Sequence, residues 1–249
     1  MSLLQSILTG KTDRPRIVTL YAVQGIGKST WAASAPNPIF IQTEQGLDDI
    51  GCARFPLCRG WQCVLDNLTS LCAETHAFQS VVIDSLSALE PLIWAQVCAD
   101  KGKKNIEDIG YAKGYKFALD YWREVTKALE FLRDRKGMHV ILIGHSRVVR
   151  FEDPETEPYD RYEIDIHKDA SAMIQRWSDE VFFGNYEVFT SEKGEGFNRR
   201  VKAIGDGTRK LYTSERPGRK AKNRLGMPES IPMPRDAGWA EYAKYFQNV

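Results

Sequence analysis

The stretch that decides the reading is Ala22-Val23-Gln24-Gly25-Ile26-Gly27-Lys28-Ser29-Thr30. It follows a β-branched apolar run, Arg16 to Tyr21, that reads as a strand, and it opens a helical pattern, Lys28 to Ala35, that Pro36 and Pro38 stop. A glycine-rich turn between strand and helix that ends in lysine and a hydroxyl residue is a P-loop. Backbone N–H groups there cradle phosphates, the lysine reaches the β and γ phosphates, and the hydroxyl ligates Mg²⁺. The nucleotide-binding set is therefore Ala22, Gln24, Gly25, Ile26, Gly27, Lys28, Ser29 and Thr30. A turn that merely caps a helix does not explain why lysine and serine follow.

Outward from the loop, strands alternate with helices. Ile39 to Gln42, Ser80 to Ile83 and His139 to Ile143 read as strands, and Leu86 to Ala99 as a helix. A long amphipathic helix lies within Tyr111 to Lys136, with Phe117, Tyr121, Val125, Leu129 and Leu132 at helical spacing. This order predicts an α/β fold with a mainly parallel central sheet flanked by helices. Farther on, Ala170 to Trp177 reads as a helix, and Thr208 to Thr213 as a strand. Val181 to Thr190 and Phe197 to Ile204 read as a hairpin turning at Gly194-Glu195-Gly196. One domain is expected over residues 1–225. Residues 226–249 form a C-terminal tail that opens with Pro228, Pro232 and Pro234 and closes in a short docking helix bearing Trp239, Tyr242, Tyr245 and Phe246.

Composition narrows the class. With 249 residues, 43% hydrophobic and 27% charged, the chain is an ordinary globular one. No apolar run approaches the ~18 to 20 residues of a membrane span. Met1 to Gly10 lacks the early positive charge of a secretory signal, so a cytoplasmic location is expected. The five cysteines form no CxxC pair and no zinc spacing with the four histidines, and they read as reduced thiols.

A P-loop needs a carboxylate on a neighbouring strand to hold the metal, and Asp84 at the end of Val81-Val82-Ile83-Asp84 supplies it. The next residue is Ser85, where many hydrolytic motors carry their catalytic glutamate. Glu44, two residues beyond the second strand, is the alternative base; otherwise it is a plain loop glutamate. His145 closes the fourth strand at the same edge, either as a γ-phosphate contact or as a strand-end histidine bonded to the backbone.

Together, Phe40-Ile-Gln-Thr-Glu44-Gln-Gly-Leu-Asp48 and Val81-Val-Ile-Asp84-Ser85-Leu-Ser-Ala-Leu89 resemble the RecA core. Gly144-His145-Ser146-Arg147, the segment Phe151 to Glu163, and Ala221-Lys222-Asn223-Arg224-Leu-Gly-Met-Pro228 are similar to phage-encoded RecA-like ATPases of the Sak single-strand-annealing group. The resemblance covers residues 14 to 230. It implies a RecA-like P-loop core, to which the hairpin read above adds a C-terminal β-hairpin extension, with ATP and Mg²⁺, single-stranded DNA as ligand, self-assembly into a ring or filament, and a phage single-strand-binding protein as partner. It implies Glu44 as base, His145 as γ-phosphate sensor, and Lys222 with Arg224 as a Lys-x-Arg finger that reaches a neighbouring subunit's nucleotide. Two positions depart from the pattern: Ala22 stands for the usual first glycine, and His145 where RecA has glutamine.

Lys101, Lys103, Lys104, Lys113 and Lys116, with Tyr111 and Tyr115, match the pairing of cations and aromatic rings used by single-strand binders. The same residues equally suit a solvated loop with two tyrosines packed under it. Arg147 and Arg150 suit phosphates beyond His145, but residues 152–165 carry a net charge of −6, while residues 193–224 carry +8. The overall +1 is thus a cancellation, and the segregation suits subunits stacked around an internal DNA path. The expected activity is a DNA-stimulated ATPase that promotes annealing or recombination. Two alternatives are an assembling DNA-binding module with incidental hydrolysis and a small-molecule P-loop kinase.

Overall fold

The computed structural model describes residues 3–7, 9–10, 12–193 and 200–246. Its centre is β1 (Ile17–Ala22), six residues buried on both faces, as a β-branched run in a covered parallel sheet should be. The P-loop leads into α1 (Lys28–Ala33), then β2 (Pro38–Gln42), a two-residue β3 (Ala53–Arg54) and α2 (Trp61–Ala73). Next come β4 (Ser80–Asp84), α3 (Leu86–Asp100), α4 (Lys113–Lys136) and β5 (His139–Phe151). The remaining elements are β6 (Tyr159–Ile164), α5 (Lys168–Trp177), β7 (Glu180–Tyr186), β8 (Phe189–Lys193), β9 (Arg200–Ile204), β10 (Arg209–Tyr212), β11 (Ser230–Pro232) and α6 (Gly238–Ala243).

The sheet runs β11-β10-β7-β1-β5-β4-β2-β3, with β7, β1, β5, β4, β2 and β3 parallel, β10 antiparallel to β7 and β11 antiparallel to β10. This is the α/β layout, a mainly parallel central sheet flanked by helices, expected from the sequence. Alternation along β1 sends Ile17 and Tyr21 to the face covered by α2 to α5, and Val18, Leu20 and Ala22 to the face covered by α1 and α6. The tail joins this second layer: β11 extends the sheet, and Tyr242 of α6 is fully buried with its hydroxyl 2.7 Å from Glu180. Among the described residues no helix is long and apolar enough to cross a membrane.

Two expectations are corrected. The fourth strand does not stop at Ile143; β5 leaves the main sheet after His145, and residues 146–151 pair with β6 in an antiparallel arm. The acidic stretch is therefore partly strand, with Arg147 beside Asp165 and Arg150 beside Asp160. The run Val181 to Thr190 is divided: Glu180–Tyr186 is a sheet strand parallel to β1, and the hairpin is β8 with β9, its turn at 194–199 lying outside the described residues. The acidic and basic stretches also touch within one chain, where Tyr162 of β6 bonds to Gly218 and Lys220. A helix carrying no motif, α2, lies between β3 and β4.

Candidate nucleotide site

Parallel strands deliver the candidate residues to one sheet edge. Ala22, at the end of β1, is in register with His145 on β5 and with Gly184 on β7, while Asp84 on β4 is in register with Ile143 and Gln42. Such an edge, outside the carboxyl ends of the strands, is where open α/β sheets take ligands. The methyl of Ala22 fits because its neighbour is glycine: a Cβ on Gly184 would lie 2.8 Å from that of Ala22.

Gly25 and Gly27 take φ of 75° and 99°, the region that favours glycine, and so turn the loop. Between them Ile26 is fully buried and anchors the turn from below, leaving Gln24 and Gly25 exposed. Lys28 is only 8% exposed, and its ammonium's one hydrogen bond among the described residues is a long one of 3.5 Å to the Val23 carbonyl. Burial lowers its pKa, against the pull of Asp84 and Glu44. A buried cation so weakly partnered suits a polyphosphate.

The Ser29 hydroxyl donates to Asp84 Oδ2 at 2.6 Å. Burial pushes the Asp84 carboxyl up, with the Ser29 bond opposing. A hydroxyl and a carboxylate are hard oxygen donors, and the pair fits Mg²⁺.

Thr43 laces the end of β2 to that of β4: its N–H reaches the Asp84 carbonyl at 2.7 Å, and its hydroxyl bonds at 2.8 Å to Ser85 carbonyl and N–H alike. This fixes the next residue, Glu44, whose two oxygens lie 2.9 and 3.1 Å from His145 Nε2. Burial pushes the Glu44 carboxyl up, but hydrogen bonds from His145 and Ser85, with the charge of Lys28, outweigh it and hold it below the ordinary carboxylate value. The His145 ring thus bonds to a carboxylate, while its backbone N–H donates to Ser87 Oγ at 3.1 Å.

Two residues that the sequence did not single out flank the loop on its other side. The Tyr186 hydroxyl lies 3.4 Å from the Gly25 carbonyl, and Arg209 Nη1 lies 3.3 Å from where a Cβ on Gly27 would stand. Tyr186 and Gly25 are 161 positions apart, so no local spacing signals the contact.

Lys222 and Arg224 are not brought to this site. The Lys222 ammonium donates to the carbonyls of Gln175, Arg176 and Ser178 at the end of α5, and Arg224 lies 3.1 Å from Asp179. Asp179 bonds the N–H of Ile17, the first residue of β1, so both sit at the opposite edge of the sheet, about 20 Å away at strand rise.

Of the candidate DNA residues, Lys101, Lys103, Lys104, Lys113 and Lys116 are exposed, and Tyr111 is 95% exposed. Tyr115 is instead packed within the chain, stacked on His167 at 4.2 Å and edge-on to Trp94 at 5.3 Å. Arg147 and Arg150 lie in the arm beside Asp165 and Asp160.

A family model described as an AAA domain matches residues 14–225. A curated relative, the SPbeta prophage-derived uncharacterized protein YorG of Bacillus subtilis (strain 168), is 22% identical over 137 residues, 53% of this chain. The match spans 41% of that relative's length. Among solved structures, the crystal structure of the RadB recombinase aligns over 94% of both chains at 12% identity and a TM-score of 0.48.

Proposed function

Because the chain belongs to the AAA domain family, we propose that it is a RecA-like ATPase of the Sak single-strand-annealing kind, which binds single-stranded DNA as a ring or filament of its own copies and promotes annealing and homologous recombination. One observation carries the reading: Lys28, the Ser29–Asp84 pair and the Glu44–His145 pair converge on one sheet edge. A small-molecule kinase has no need of the second pair. The prophage origin of the Bacillus relative supports a phage context.

Lys28 neutralises the outer phosphates, and Mg²⁺ held by Ser29 and Asp84 would supply further neutralisation of the triphosphate charge. Glu44, its pKa held low, is ionised at neutral pH and accepts a hydrogen bond from the attacking water. A carboxylate so stabilised is a weak base, so its work is chiefly to orient that water. His145 holds Glu44 and is also the residue at which β5 leaves the sheet. A change in the Glu44–His145 contact on filling the γ-phosphate position therefore passes along one strand to the arm at 146–151.

Lys222 and Arg224 lie too far from the P-loop of their own chain to serve it, which supports a finger acting on a neighbour in a head-to-tail assembly. Arg224 is half exposed and is available for that role. Lys222 must first exchange its three carbonyl partners.

Light scattering on sized fractions, with a non-hydrolysable ATP analogue, single-stranded DNA, both or neither, tests the reading. The mass should rise to a discrete multiple or a filament distribution with both present, and Lys28→Ala should remain small. A monomer under all four conditions would remove the assembly, and no retention of DNA would remove the recombination role.

A further inference from the structure

The flank of the phosphate-binding loop away from Asp84, Glu44 and His145 is built by chain that the P-loop motifs do not include. In the sheet, β1 has β5, β4 and β2 on one side and β7, then β10, on the other. Both carboxylates and the imidazole come from the first side. A bound nucleoside triphosphate is an extended ligand, so with its terminal phosphate toward that side its nucleoside leaves toward β7 and β10.

Tyr186, the last residue of β7, and Arg209, the first of β10, are direct partners in the antiparallel register, so their side chains share a face. The contacts of Tyr186 with the Gly25 carbonyl and of Arg209 with Gly27 put that face against the loop. Tyr186 keeps part of its surface open to solvent, as does Arg209. An aromatic ring beside a guanidinium, both next to a phosphate-binding turn, has the chemistry of a nucleoside phosphate: a π face for the base and a planar cation for the phosphate oxygens.

We propose that Tyr186 and Arg209 form the nucleoside end of the site, the ring stacking on the base and the guanidinium contacting the α-phosphate within the same chain. The inference rests on the nucleotide-binding reading above and adds to it which end of the ligand lies where. It also gives β10 a role beyond extending the sheet, because only its antiparallel return on β7 brings Arg209 to the loop.

Calorimetric titration with two probes, adenylyl imidodiphosphate and inorganic tripolyphosphate, each with Mg²⁺, separates the two ends of the site. Tyr186→Ala should weaken the nucleotide analogue by about tenfold and leave tripolyphosphate within about twofold, which also reports that the loop is still folded. Tyr186→Phe, which keeps the ring, should match the wild-type protein on both probes. Arg209→Ala should weaken both probes by about tenfold, since each offers phosphate oxygens. The proposal is overturned if both alanine variants bind the nucleotide analogue as tightly as wild type. It is equally overturned if Tyr186→Ala loses tripolyphosphate as much as nucleotide, for the ring would then only prop the loop. Failure of the wild-type protein to bind either probe would instead overturn the nucleotide-binding reading itself.

Discussion

Glu90, on α3 one turn beyond Asp84, gives the sharpest stability test of the packing behind the site. It is 5% exposed, and it lines a cavity of about 440 Å³ with Trp94, Tyr115, Arg147 and His167. Its two oxygens each accept the His167 backbone N–H at 2.8 Å, which ties α3 to the start of α5. Burial raises its pKa from an ordinary 4.5 to about 7, against the His167 bond and the charge of Arg147, with Asp165 adding to the rise. The folded chain therefore holds a proton that the unfolded chain releases between about pH 4.5 and 7. Stability from this group is present below that window and is lost as pH rises through it. The distance from 4.5 to about 7 corresponds to ~3 kcal/mol at most. Glu90→Gln keeps an acceptor for His167 and cannot ionise. In urea melts at pH 5, 6, 7 and 8, the variant's stability relative to wild type should climb by roughly 2 to 3 kcal/mol and level off above pH 7. Two curves that run parallel across this range would refute a buried carboxyl that holds its proton through this window.

Other expectations follow from the same structure. Gly184→Ala should cost about 1 to 3 kcal/mol by urea melt and weaken nucleotide binding, because its Cβ meets that of Ala22 at 2.8 Å. Adding Ala22→Gly should recover most of both losses, and strict additivity of the two changes would reject the contact. Replacing Lys101, Lys103 and Lys104 together by alanine should flatten the slope of log affinity for single-stranded DNA against log salt by about 2, at roughly 0.7 per phosphate contact. An unchanged slope would remove that loop from the DNA path. Mixing Arg224→Ala subunits with Lys28→Ala subunits should restore ATP turnover at hybrid interfaces, and no recovery at any ratio would count against a finger acting in trans.

The P-loop was legible because its residues are contiguous and its chemistry is local. Asp84, Glu44 and His145 were legible because each closes or follows an apolar run that forms a parallel strand, and a parallel sheet carries the carboxyl ends of such runs to one edge whatever their separation in sequence. The arm over β5 and β6 was hidden by its acids, which mask the ladder that pairs Val148 with Tyr162 and Phe151 with Tyr159. The start of β7 was merged with the hairpin because nothing in Val181 to Thr190 marks where a buried parallel strand gives way to β8. Lys222 and Arg224 were visible as a motif, but a motif does not tell which sheet edge it occupies. The approach of Tyr186 and Arg209 to the P-loop arises from sheet order alone, and only the folded chain reveals it.

The role proposed for Glu44, held by His145, is to orient the water that attacks a nucleotide bound by Lys28, Ser29 and Asp84. Steady-state ATP turnover and equilibrium binding of the ATP analogue, measured with and without single-stranded DNA for wild type and Glu44→Gln, test it directly. Wild type should show DNA-stimulated turnover and the variant a loss of roughly a hundredfold or more, with analogue binding kept within a few fold. A Glu44→Gln protein that hydrolyses ATP at the wild-type rate would contradict it.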